Sequence, residues 1–406
     1  MSTQGPNEEN PLHIPQGFRF ASTTAGIKAS GRADLALVEA PLGASAAAVF
    51  TKNRVVAAPV TVGRANLRRT KGRVRAVLVN AGNANCATGA QGLEASKTSC
   101  KALGGALEVA PEFVIPSSTG IIGVPFPTEK LVTALPALVA ARASGETAVR
   151  EFAKAIMTTD TQQKTASAEF AVGKKTVAVM GVAKGSGMIH PNLATMLVYV
   201  FTDIDASPVE LQGALKQAVD QSFNCISVDG DTSTNDTVLL LASGASGVKH
   251  GQRGAEKAFA AALQEVCASL AEQIVRDGEG AQHLVRLHIE QAKNVTEART
   301  IARSIANSPL VKTAWAGADP NWGRILSSVG KSGVAVDPAK INVHIGEQQV
   351  CKGGMAYPFD EQSAHAYLKQ REYDIRVELG RGKTKLTFLT CDLTTEYVHI
   401  NADYST

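Results

Sequence analysis

The sequence predicts a mixed α/β protein with several sheets, and three observations predict it. Short apolar runs of strand length recur along the whole chain. Longer stretches with apolar residues at three- and four-residue steps lie between them, and 36 glycines punctuate the runs. At 406 residues the chain exceeds one ordinary core, so two or three domains are expected. A composition that is 44% hydrophobic and 19% charged fits a globular protein.

Taken in order, the first clear strand is RAVLVNAG (75–82). PSSTGIIGVPFP (116–127) reads as a turn-rich loop. KTVAVMGVA (175–183) and TMLVYVFTDID (195–205) are the next strands. A helix then starts with Ser207 as N-cap and Pro208 at its first position, and Leu211, Leu215 and Val219 fall on one face. TVLLLASG (237–244) is a strand. Residues 255–275 form a helix with Phe259, Leu263, Val266, Leu270 and Ile274 in its apolar stripe, and Cys267 reads as a small core residue within it. HLVRLHIEQA (283–292), a helix over 295–306 and KINVHIG (340–346) follow, and 371–394 reads as a hairpin with Gly380 and Gly382 in the turn. The stripes are core faces and carry no chemistry.

Composition excludes several classes of function. A formal net charge of +4 is mild, and LRRTKGRVR (67–75) is a strand flank rather than a nucleic-acid patch. The six cysteines (Cys86, Cys100, Cys225, Cys267, Cys351, Cys391) show no CxxC pair, which argues against a zinc site or a disulfide framework. Residues 1–18 resemble neither a secretory nor a transit peptide, and 1–15 are expected to be loosely ordered. No apolar run approaches the ~20 residues of a membrane span. A soluble, cytoplasmic protein is expected, binding neither nucleic acid nor membrane.

The chemistry gathers around GMIHPNLATMLVYVF (187–201), where Ala194-Thr195 meets an apolar run. A threonine hydroxyl is a poor nucleophile without a base in reach. If Thr195 becomes the first residue of a chain, its own α-amine, titrating near pH 8, supplies that base. The precursor must then cut itself before Thr195, and a small Ala194 leaves room for the strained geometry. The plainer reading is a β-branched residue entering a strand.

Thr119-Gly120 offers a hydroxyl and a backbone N–H to a developing oxyanion, or else an ordinary turn. Lys184, among the glycines of AKGSGMIHPN (183–192), lacks the context of a phosphate-binding loop; it reads either as a partner for a substrate carboxylate or as a solvated lysine. His190 is a structural loop histidine before Pro191. Asp229, Asp231 and Asp236 in SVDGDTSTND (227–236) imitate a calcium loop, yet Leu240 stands where that loop needs a glutamate. A hydrogen-bonded turn network is expected there.

With those pieces in view, the sequence resembles the ornithine acetyltransferase family, the glutamate N-acetyltransferases of arginine biosynthesis. The resemblance rests on VNAGNANCATG (79–89), PSSTGIIG (116–123), AIMTTDT (155–161) and GVAKGSGMIHPNLATML (181–197). It continues in SVDGDTSTNDT (227–237), VKTAWAGADPNWGRI (311–325) and EYVHINADYST (396–406), in the family's order. It implies a self-processing, aminopeptidase-like fold, with helices around a β-sheet core and a smaller C-terminal α/β region. It implies cleavage between Ala194 and Thr195 into an α chain (1–194) and a β chain (195–406), held together as α2β2. Thr195 is then the nucleophile, and Thr119 and Gly120 the oxyanion pair. Substrate contacts fall on Thr158, Lys184, Thr195, Glu279, Asn401 and Thr406, with Thr159 and Thr161 as alternatives to Thr158. Lys184 suits the carboxylate of N2-acetylornithine and Glu279 its ammonium. Glutamate accepts the acetyl group from the acyl-threonine, no metal or organic cofactor is needed, and acetyl-CoA as a second donor stays open. So does an amidase or aminopeptidase built on the same nucleophile. A non-catalytic relative would stay uncut.

Overall fold

The computed structural model describes residues 11–190 and 196–403. The strands of the first part are β1 (Arg19–Thr23), β2 (Leu35–Glu39), β3 (Ser45–Phe50), β4 (Ala76–Asn83), β5 (Val114–Ile121), β6 (Lys164–Val172) and β7 (Lys175–Lys184). They continue as β8 (Leu197–Thr202), β9 (Ile226–Ser227), β10 (Thr237–Ala242), β11 (Leu284–Ala292), β12 (Asn342–Ile345), β13 (Gln348–Lys352), β14 (Met355–Ala356), β15 (Glu372–Glu378) and β16 (Thr384–Cys391). The helices are α1 (Ala58–Arg69), α2 (Gly89–Ala106), α3 (Thr128–Ala140), α4 (Glu146–Ala155), α5 (Pro208–Gln221) and α6 (Ala255–Arg276). After them come α7 (Val295–Ala306), α8 (Pro309–Ala316), α9 (Trp322–Gly330), α10 (Glu361–Leu368) and α11 (Thr395–Asp403).

Two sheets stack face to face between helices. One has the order β1-β2-β4-β5 and the other β3-β10-β8-β7-β6. Strand alternation explains the layering: Leu197, Tyr199 and Phe201 of β8 face the first sheet, while Val198 and Val200 face α5 and α6. A strand buried on both faces reads as an unbroken apolar run, as β8 does. Between the sheets Phe20 packs edge-on to Phe201 (5.1 Å between centroids) and Phe152 (5.8 Å), and Phe152 edge-on to Tyr199 (5.7 Å). Each such side chain contributes roughly 1.5–3 kcal/mol through burial. Cys100, Leu103, Leu131, Leu135 and Leu138 of α2 and α3 cover the outer face of the first sheet. A seven-stranded sheet, β14-β13-β12-β15-β11-β16-β9, carries its own core with α7, α8 and α9. The mixed α/β class is therefore as expected.

Ser207 caps α5 with a full capping box to Glu210, and the helices over 255–276 and 295–306 stand where the spacing puts them. All six cysteines are free and buried.

Four expectations need correction. Residues 371–394 are not a hairpin: β11 lies between β15 and β16, parallel to the first and antiparallel to the second. The connection instead crosses the end of β11, where Leu379 N–H donates to Glu290 O, and Arg381 and Gly382 N–H to Gln291 O. The stretch 116–121 is strand rather than loop, paired in parallel with β4. As an edge strand, β5 tolerates Pro116, which has no N–H to give. Residues 11–15 are tied down, with Leu12 N–H on Glu146 (3.4 Å) and His13 N–H on Ser167 Oγ (2.9 Å). Finally, one helix among the described residues, α6, is by length and hydropathy apolar enough to cross a membrane. Its stripe of Phe259, Leu263, Val266, Leu270 and Ile274 is buried against the second sheet and α5.

The division at 194/195 falls in residues outside those described. The parts on either side share a sheet, since β7 pairs with β8 and β3 with β10.

Candidate active site

The site grows from the C-terminal end of β5. There β4 and β5 run in register to Gly82 opposite Gly120, and the register shifts at Asn83. Gly120 has φ +127°, and a β-carbon on it would fall on the backbone of Gly82 and Asn83. Only glycine fits this approach of two strands. The end of the strand is braced by side chains: Asn235 Nδ2 donates to Ser118 O (2.9 Å) and Ala84 O (2.7 Å), and Ser118 Oγ donates to Asn80 Oδ1 (2.5 Å). Thr119 accepts a hydrogen bond at Oγ1 from Lys184 Nζ (3.2 Å). A hydroxyl that accepts from an ammonium keeps its own proton to donate elsewhere.

Lys184 ends β7 and is 5% exposed, so it is no solvated loop lysine. Burial lowers its pKa, and the Asp160 carboxylate is the strongest influence opposing that. Asp160 is buried too, which alone would raise it. Lys164 and Lys184, with hydrogen bonds from Lys164 and the Gly185 N–H, hold it well below the usual carboxylate range instead. Asp160 Oδ1 accepts from Lys164 Nζ (2.7 Å) and Gly185 N–H (2.6 Å), and Lys164 reaches Asp277 as well (2.5 Å). Lys28, half-buried nearby, is lowered to about 8 by burial and by Arg32.

A cavity of about 110 Å³ brings the expected residues together: Thr119, Gly120, Thr158, Lys184, Glu279 and Asn401 all line it. Glu279 is set by its N–H on Ser186 O (3.0 Å) and accepts from Asn401 Nδ2 (2.9 Å). Asn401 comes from α11, which has no buried residue. Of the alternatives to Thr158, Thr159 lines the cavity too and pairs with Ser186 Oγ (2.7 Å), whereas Thr161 is committed to Asp277.

Ala194, Thr195 and Thr406 lie outside the described residues. Just beyond them, Met196 N–H donates to Asp236 Oδ1 (2.9 Å), and Thr237 N–H to Met196 O (3.1 Å). Of the aspartates of 227–236, Asp229 and Asp236 accept from backbone N–H groups, in the hydrogen-bonded turn network expected there. Asp229, pushed up to about 6 by burial, accepts from the N–H groups of Met188 (2.5 Å), Ile189 (2.9 Å) and Asp231 (3.1 Å). His190 is half-buried, lowered by that burial, and accepts from Asn307 Nδ2 (3.0 Å).

Sequence reasoning missed Asp160, Lys164, Asp277 and Gly187. The four-residue step from Asp160 to Lys164 was the available signal. Nothing local announces Gly187, on which a β-carbon would meet the Glu279 carboxylate.

The family model for the ArgJ family matches residues 19–406. The arginine biosynthesis bifunctional protein ArgJ of Methylococcus capsulatus is 44% identical over 394 residues, covering 96% of this chain and 95% of that one. The protein of the same name from Ruegeria pomeroyi is 45% identical, covering 97% and 95%. A crystal structure of the arginine biosynthesis bifunctional protein from Bacillus halodurans is 42% identical, covers 51% of this chain and 98% of its own, and superposes with a TM-score of 0.49.

Proposed function

The chain belongs to the ArgJ family, and on that premise we propose that it moves an acetyl group from N2-acetylornithine to glutamate in cytoplasmic arginine biosynthesis. Thr195, freed by cleavage after Ala194, attacks the acetyl carbonyl with its own α-amine as base. The tetrahedral oxyanion is held by the Thr119 hydroxyl and the Gly120 N–H. Ornithine leaves, and the glutamate amine takes the acetyl group from the threonine ester to give N-acetylglutamate. Acetyl-CoA is the second donor we propose, since it need only bring its acetyl group to Thr195. Water kept out during the exchange keeps the enzyme from acting as an amidase.

One observation carries this reading: Lys184, buried, donates to Thr119 in a cavity that Glu279 and Asn401 also line. A cation for the substrate carboxylate, a carboxylate for its ammonium and an oxyanion donor thus stand around one small space. The strand pairs β7/β8 and β3/β10 support two chains that stay joined after the cut, and α2β2 is the assembly we propose for them.

Intact mass under denaturing conditions tests the reading. Wild type is expected as two fragments, beginning at Met1 and Thr195, and Thr195→Ala as one 42.4 kDa chain without transferase activity. A single uncut chain in both would sink the mechanism, and acetate released without need of glutamate would make the enzyme an amidase.

Gly187→Ala probes the ammonium end. No positive φ forbids alanine there, so what must give is the flexible Glu279 carboxylate. Processing is expected to be normal. KM for N2-acetylornithine should rise roughly 10- to 100-fold, the loss expected for one charge-assisted contact, with kcat changed far less. Steady-state kinetics on the purified variant checks this; an unchanged KM removes Glu279 from substrate binding.

A further inference from the structure

The acetyl-transfer chemistry makes no direct use of Asp160, Lys164 and Asp277, yet they form a charged cluster beside the cavity, with Asp160 and Lys164 buried and Asp277 partly so. Asp160 Oδ1 holds Gly185 N–H, the amide that follows Lys184, at 2.6 Å, and its Oδ2 accepts from Thr158 N–H at 3.1 Å. One carboxylate therefore fixes two segments that line the cavity. Lys164 links it to Asp277, which takes the Thr161 hydroxyl and N–H and stands two residues before Glu279. Three lysines surround this carboxylate: Lys164 is bonded to it, and Lys28 and Lys184 feel its charge. Facing Lys184, Lys164 repels its charge, while Asp160, Glu279 and Asp236 support it; the Thr119 hydroxyl is the hydrogen-bond partner of Lys184, and Lys28 lies close enough to be repelled by it.

We propose that Asp160 is a positioning residue that keeps the Lys184 ammonium charged and seated for the substrate carboxylate. This rests on the reading of Lys184 as the partner of that carboxylate. Lys164 has a distinct part: with Asp277 it anchors Asp160 from the far side. The direction follows from charge. Removing the anion that best opposes desolvation makes Lys184 lose its proton at lower pH, and a neutral amine holds a carboxylate weakly.

The test is the pH profile of KM for N2-acetylornithine, between pH 6 and 10, in processed wild type, Asp160→Asn, Asp277→Asn and Lys184→Met. The alkaline limb, where KM climbs, is expected to move down by about one pH unit or more in Asp160→Asn. kcat at saturation should follow the Thr195 amine and keep its own profile. Asp277→Asn removes the second charged partner of Lys164 but none of the charges that act on Lys184, so its limb should stay in place. An unmoved limb in Asp160→Asn, or an equal shift in Asp277→Asn, overturns the proposal. If Asp160→Asn does not fold, the double variant Asp160→Asn/Lys164→Met leaves no orphaned lysine. It should shift the limb in the same direction by less, and no shift in it overturns the proposal equally. Lys184→Met separates the two readings. A KM there like that of wild type ends the role of Lys184 itself, whereas a raised KM with an unmoved Asp160→Asn limb ends only the role of Asp160.

Discussion

Lys184→Met is expected to lower kcat/KM for N2-acetylornithine by about 10²–10³-fold while leaving the protein no less stable. Truncating one partner of a desolvated, hydrogen-bonded charge pair costs about 2–5 kcal/mol in binding, and that sets the size of the loss. Most of it should fall on KM. Part should fall on kcat, because Thr119 loses the donor that orients its hydroxyl at 3.2 Å. Stability should go the other way. A lysine that is 5% exposed has given up its hydration, and burial already lowers its pKa. Methionine fills much the same volume without that penalty. Asp160 is not orphaned, since Lys164 at 2.7 Å and the Gly185 N–H at 2.6 Å remain. An inactive variant with a melting temperature at or above that of wild type marks a side chain kept for function against stability. A lower melting temperature with modest loss of activity would instead make Lys184 a structural ion.

How far this site was legible in the sequence differs residue by residue. The helices announced themselves, because capping and a 3.6-residue stripe are local: Ser207, Pro208 and Glu210 set one end of α5 without reference to the rest of the chain. Strand partners are not local. Thr384–Cys391 follows Glu372–Glu378 after a glycine-bearing turn, and nothing in those residues says that Leu284–Ala292 separates them. The same limit hid β5, whose Ser-Ser-Thr-Gly composition looks like a loop until β4 is placed beside it.

The residues proposed to carry the chemistry are marked by likeness of motif more than by spacing. Lys184 and Glu279 stand 95 residues apart in the chain, and only the fold sets both on one cavity. Asp160 sits within a run of threonines, where only its four-residue step to Lys164 marks it. Its meaning depends on the amide of Gly185 and on two lysines whose burial is a property of packing. Gly187 is the plainest case. A glycine is needed there not for a turn but because a carboxylate from a distant segment occupies the place a β-carbon would take.

Gly120→Ala is expected to be the most damaging single-methyl change in the site, and the reason differs from that at Gly187. At Gly187 the obstacle is a side chain that can swing away. At Gly120 it is the backbone of Gly82 and Asn83 on the neighbouring strand. With φ at +127° the residue also sits where an L side chain is strained, by about 1–3 kcal/mol before any clash. Either the two strands part at the bulge or the 119–121 backbone turns, and both movements carry the Gly120 N–H off its line. Loss of one oxyanion donor lowers kcat by about 10²–10³-fold. Thr119 moves with it, so the measured loss should reach at least that range, with KM little altered because Lys184 and Glu279 reach the cavity from other elements. The cleavage proposed before Thr195 would pass through its own tetrahedral oxyanion. If the same donors serve it, the variant should purify largely as the uncut 42.4 kDa chain. Full cleavage combined with a kcat loss would mean that self-processing and acetyl transfer draw on different donors. Normal cleavage and normal kcat together would remove Gly120 from both.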